Sequence, residues 1–132
     1  MSQATAEAEV RAEACPAQPT RPKIVCLIGS TRFEADYKRI AKRERLNRKI
    51  VLTPGFWDHD GPEEENVDTK QILVDGYLHC IEMSDEVFVV NALGYIGEDT
   101  GNHLAYAIAI GKPVRSLERL DKRWQRRLGR RM

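Results

Sequence analysis

The hydrophobic period changes several times along this chain, and each change marks an element. Ile24-Val25-Cys26-Leu27-Ile28 is an unbroken apolar run ending at Gly29, the pattern of a short strand buried on both faces. Phe33, Tyr37, Ile40, Ala41 and Leu46 follow near helical spacing with Lys and Arg between them, which predicts one amphipathic helix. Lys49-Ile50-Val51-Leu52 reads as a second strand, broken by Thr53-Pro54-Gly55. The stretch 55–66 (GFWDHDGPEEEN) is too polar and turn-rich for an element and predicts a long loop; such loops in compact domains often carry function. A helix from about Val67 to Met83 comes next, with Leu73, Tyr77, Cys80 and Ile81 as its inner stripe. Glu86-Val87-Phe88-Val89-Val90 is the third strand. A third helix starts with Thr100 as N-cap, runs through Leu104, Ala107, Ile108 and Ile110, and stops at Gly111-Lys112-Pro113. Val114 to Leu117 is a weaker fourth strand.

Strands alternating with helices imply right-handed crossovers and a parallel sheet. The expected architecture is a flavodoxin/Rossmann-like three-layer α/β sandwich with four to five parallel strands in the order 2-1-3-4. Its switch point falls between strands 1 and 3, where such sheets bind ligands.

Flanking this domain, assigned to residues 23–117, are two segments of different character. Residues 1–22 hold no large apolar residue except Met1 and Val10 and contain Pro16, Pro19 and Pro22 toward their end, which predicts a disordered leader. Residues 118–132 form a basic helix or tail. From Arg115 to Met132 there are eight basic and two acidic residues, and Leu117, Leu120, Trp124 and Leu128 make a stripe that could pack on the domain or on a second subunit. The arginines between them could bind nucleic acid electrostatically. The whole chain has a formal net charge of only +1, so no global case for nucleic acid exists. Cys15, Cys26 and Cys80 form no CxxC pair and leave one unmatched, which argues for buried thiols in a reducing compartment. No secretory or membrane-spanning segment is legible, and a cytoplasmic location is expected.

Three segments converge on the switch point. Gly29-Ser30-Thr31-Arg32 follows strand 1: glycine permits a tight turn, hydroxyls and N–H groups can meet an anion, and Arg32 can pair with a phosphate or carboxylate. The same residues also serve a plain strand–turn–helix with Ser30 or Thr31 as cap. Asn91 to His103 joins strand 3 to the third helix and contains three glycines; a mere connection could be shorter. Met83-Ser84-Asp85 precedes strand 3, where Asp85 could orient a hydroxyl or simply form a turn. In the long loop, Phe56 or Trp57 could stack on a base. Asp58, His59 and Asp60 lack a second cluster at ligand spacing, so no metal and no cofactor are expected. His79 on the second helix is one turn from Asp75, and a surface hydrogen bond between them is expected.

The strings IVCLIGSTRF, SDEVFVVNALGYIGEDT and LAYAIAIGKPV resemble the nucleoside 2-deoxyribosyltransferase-like superfamily over residues 23–117, and in particular a small bacterial and phage branch. The resemblance implies cleavage or exchange of the N-glycosidic bond of a nucleoside or nucleoside 5′-monophosphate, by hydrolysis or deoxyribosyl transfer, and a homodimer. It implies a Glu nucleophile at the start of the third helix, suited to an oxocarbenium-like transition state and a covalent sugar ester. Aligned without gaps, that position is His103, and imidazole is no simple replacement for a carboxylate. Glu98 and Asp99 lie nearby, on what reads as the preceding loop. The resemblance gives sugar and phosphate binding to Gly29, Ser30 and Arg32 and to Gly97, Thr100, Gly101 and Asn102, with Asp85 near the base or sugar; Thr31, Asn91 and Trp57 complete the candidate set. Three functions follow: a nucleoside or nucleotide N-glycosidase or transferase, a nucleotide-binding protein that lost its nucleophile, and a nucleic-acid accessory protein acting through the arginine-rich tail.

Overall fold

A computed structural model describes residues 21–53 and 67–129, apart from the side chains of residues 67 and 68. Most of the leader, the loop around Trp57 with Asp58, His59 and Asp60, and residues 130–132 lie outside the described residues. The elements in chain order are β1 (Ile24–Gly29), a 3-10 turn (Thr31–Phe33), α1 (Glu34–Leu46), β2 (Ile50–Leu52), α2 (Val67–Met83), β3 (Glu86–Val90), a second 3-10 turn (Ala92–Gly94), α3 (Glu98–Ala109), β4 (Val114–Ser116) and α4 (Lys122–Gly129).

The four strands form one sheet in the order β2-β1-β3-β4, every pair parallel. This is the expected 2-1-3-4 order, with β1 and β3 central. Alternation along those two strands divides the core. Cys26, Ile28, Val87 and Val89 face α2, α3 and α4 through Ile81, Leu104, Ala107, Ile108, Leu120 and Trp124. Val25, Leu27, Phe88 and Val90 face α1 through Tyr37, Ile40 and Ala41. Both faces of the central strands are therefore apolar, which is why each reads as a continuous run. Burial pushes the Cys26 thiol up to about 12, so it is an inert packing group.

Two helical stripes differ from the expected ones. Leu46 is exposed, and α1 buries Glu44 instead. Its carboxylate meets Arg43, Lys49 and Arg115, and Glu86 meets Lys49 and Arg115 in the same network. Burial opposes the charge on both carboxylates, yet these cations hold each below its usual range. On α2, Leu73 is exposed, and Tyr77 and Leu78 pack inward beside Ile81. His79 pairs with Glu82 at 2.9 Å, not with Asp75, and Asp75 accepts from Gln71 instead.

The domain limits also shift. Arg21, assigned to the leader, forms two hydrogen bonds with Asp85. The basic tail belongs to the domain: Leu120 and Trp124 are buried in the core beneath α3. Asp121 caps α4 by accepting from the Trp124 N–H. Among the described residues, no helix is long and apolar enough to cross a membrane.

Candidate functional site at the carboxyl edge of the sheet

Strand β1 ends at Gly29, opposite Val90 at the end of β3. A side chain at Gly29 would put its Cβ 2.6 Å from the Val90 carbonyl oxygen, so close strand approach requires glycine here. The chain then turns: Ser30 caps the 3-10 turn, its Oγ accepting from the Arg32 N–H at 3.3 Å. Thr31 and Arg32 are exposed. The Arg32 guanidinium lies over the Tyr95 ring, 4.4 Å from its centroid, a favourable cation–π geometry. Phe33 meets the same ring edge-on at 6.1 Å. A Cβ at Gly97 would lie 2.9 Å from the Tyr95 hydroxyl. Tyr95 thus joins the turn after β1 to the start of α3.

The loop after β3 is less available to a ligand than its polarity implies. Asn91 is buried, and its side-chain amide both donates to the Glu118 carbonyl at 3.0 Å and accepts from the Glu118 N–H at 2.9 Å. It clasps the chain after β4, so its expected contact with substrate is replaced by a structural one. Leu93 and Gly94, with positive φ, turn the loop outward.

Helix α3 starts three residues earlier than expected. Gly97, not Thr100, is its N-cap, with no side-chain hydrogen bond. Glu98 and Asp99 sit in the first turn, where the helix dipole favours carboxylates, and Thr100 is buried. This moves Asp99 from a loop onto the helix, one turn before His103 and on the same face. Asp99, Asn102 and His103 line one cavity of about 310 Å³ between α2 and α3, with Lys70, Val74 and Tyr106 among the other walls.

The His103 ring packs edge-on against Tyr77, centroids 4.5 Å apart. Burial pushes its proton affinity below that of ordinary histidine, and the Asp99 charge pulls partly the other way. Tyr77 in turn donates to the Leu27 carbonyl. The Ile50 N–H donates to the Lys23 carbonyl, so odd-numbered residues of β1 face β2. That strand ends at Leu52, opposite Cys26, and the Leu27 carbonyl beyond it is left for Tyr77.

The remaining candidates separate. Glu98 and Gly101 line a different cavity of about 360 Å³ between α3 and α4, which also reaches Asn102. Asp85 precedes β3 at the opposite end of the sheet, about 20 Å from Asn91 at strand rise. It accepts from the Ile24 N–H and pairs with Arg21, partners that hold its carboxyl at about 2. The expectation of Asp85 near base or sugar is therefore corrected: it closes the amino edge of the sheet. Sequence reasoning missed Tyr77, Tyr95, Tyr106 and Lys70 as walls or bridges. Only Tyr95 carried a signal, as part of the GYIGE string.

No family model matches the chain, and no curated protein matches it. Among solved structures it is similar to a 2-deoxyribosyltransferase from the psychrotolerant bacterium Bacillus psychrosaccharolyticus, described as a biocatalyst for the synthesis of antiviral and antitumoral nucleosides. The similarity has a TM-score of 0.57 and 19% identity, over 80% of this chain and 82% of that one. At that identity the two share an α/β fold.

Proposed function

We propose that the α2–α3 cavity takes a nucleoside or nucleoside 5′-monophosphate and that the chemistry is attack on its N-glycosidic bond. The observation that carries this reading is the pair Asp99 and His103, a carboxylate and an imidazole one turn apart in one cavity, the imidazole's proton affinity lowered by burial. The fold it shares with a 2-deoxyribosyltransferase supports the substrate class.

In this reading Asp99 supplies the carboxylate that the GYIGE resemblance expects at position 103. Its oxygen bonds to C1′ as the C1′–N bond breaks, and the departing base takes a proton from solvent. Water then attacks C1′, His103 accepts the water proton, and Asp99 leaves as carboxylate; a second base in place of water gives transfer. A neutral imidazole suits the second step. Arg32, carried on the face of Tyr95, is the cation offered to a 5′-phosphate.

A second reading is favoured by His103 itself. With histidine in the expected nucleophile position, the pocket binds a nucleotide without cleaving it. Base release from nucleosides and their monophosphates, run beside binding calorimetry, separates the two. Turnover that falls in His103→Ala supports the first. Binding without turnover, and turnover gained in His103→Glu, supports the second.

A further inference from the structure

Helix α4 carries Lys122, Arg123, Arg126 and Arg127 and no acidic side chain. None of these four forms an ion pair among the described residues, unlike Arg43, Lys49 and Arg115 elsewhere. Two of them, Arg123 and Arg127, hold their guanidinium groups 4.8 and 5.1 Å from the Trp124 ring and line the cavity of about 360 Å³ between α3 and α4.

Trp124 lines the same cavity and is only 4% exposed. Its indole N–H has no hydrogen-bond partner among the described residues, a costly state for a buried donor. The ring edge that bears it is turned toward α3, because Cζ2 on that edge lies 3.7 Å from where a Gly101 Cβ would be. Across the cavity, Gly97 caps α3 without a side-chain acceptor, so the first-turn amides add further donors. Glu98 is the one carboxylate among the lining residues, and it opposes an anion.

We propose that the α3–α4 cavity is a phosphate-binding site, in which Arg123 and Arg127 hold the oxyanion and the Trp124 indole and α3 amides serve as neutral donors. Two cations that no carboxylate neutralises, beside a buried donor lacking an acceptor, match a ligand that is both anionic and rich in acceptor oxygens. The site shares only Asn102 with the Asp99–His103 cavity and does not rest on the reaction proposed there.

The test follows indole N–H resonances of the full ¹⁵N-labelled chain during titration with inorganic phosphate at constant ionic strength, Trp57→Phe serving to assign Trp124. The Trp124 resonance is expected to move saturably at millimolar phosphate. Arg123→Gln and Arg127→Gln should each weaken binding about tenfold, the loss of one charge-assisted contact. Arg126→Gln, on the same helix but outside the cavity, should leave it unchanged. Glu98→Gln at an exposed position should tighten binding, which keeps the proposal testable if either cavity arginine proves necessary for folding. Absence of a saturable shift, or equal effects of Arg126→Gln and Arg127→Gln, would overturn it. So would an oligonucleotide that binds α4 without moving the Trp124 resonance while phosphate does nothing, because α4 would then be a nucleic-acid face.

Discussion

The His103 ring rests edge-on against Tyr77, with centroids 4.5 Å apart and planes at 65°. Tyr77 is fixed by its hydrogen bond to the Leu27 carbonyl, so the imidazole takes its position from the end of β1. Tyr77→Phe keeps the ring contact and removes the hydroxyl. The expected cost is about 1 kcal/mol, the usual worth of such a bond, rising if the Leu27 carbonyl is left dry. Urea unfolding measures it; no change in midpoint would show that water replaces the hydroxyl without penalty.

The same contact sets a pH dependence. Burial pushes the folded His103 below its ordinary value of 6.5, so the unfolded chain takes up the proton first as pH falls. Stability attributable to this group is therefore greatest above 6.5 and declines as pH drops toward the folded value. Melting temperatures of wild type and His103→Gln, compared between about pH 8 and pH 5, should diverge on acidification, with wild type losing more. A relative gain for wild type at low pH would mean that Asp99 outweighs burial.

Glu44 is the buried member of an ion network whose cations are partly exposed, with Arg115 at 39% and Lys49 at 24%. Glu44→Ala leaves Arg115 and Lys49 still paired with Glu86, so the loss should be about 2 kcal/mol, below that of a fully buried pair. Chemical denaturation of the variant gives the figure. A neutral substitution would show that water reaches the network freely.

The central strands and their order were legible because burial on both faces leaves an unmistakable apolar run, and three βαβ crossovers admit few arrangements. The helices were less so. Leu46 and Leu73 look like stripe residues, but each points to solvent, and the burial of Glu44 depends on cations that include Arg115, 71 residues away. Asn91 resembles a ligand-binding amide until Glu118 is seen to occupy it. Two residues decided the site. Reading Thr100 as the cap left Asp99 on a loop, whereas capping by Gly97 brings it onto the face of His103. Both Gly and Thr cap helices, and local pattern alone does not choose between them.

Gly29 ties fold to site. Gly29→Ala would force a methyl against the Val90 carbonyl oxygen at 2.6 Å, so β1 and β3 must part at the edge where the turn begins. The expected destabilisation is about 2 kcal/mol, accompanied by weaker monophosphate binding as the Ser30–Arg32 turn moves. Thermal unfolding and calorimetry on the same sample read both; unchanged affinity would remove this turn from the ligand site.

The most direct measurement is the rate of free-base release from nucleoside 5′-monophosphates by wild type and by Asp99→Asn. The substitution keeps the shape of the side chain and removes the charge that would stabilise a developing oxocarbenium ion and form the ester. The account predicts turnover by wild type and a loss of about 10²-fold or more in Asp99→Asn, with nucleotide binding retained. Release by Asp99→Asn within about twofold of wild type, less than one lost charge-stabilising contact should cost, would contradict it.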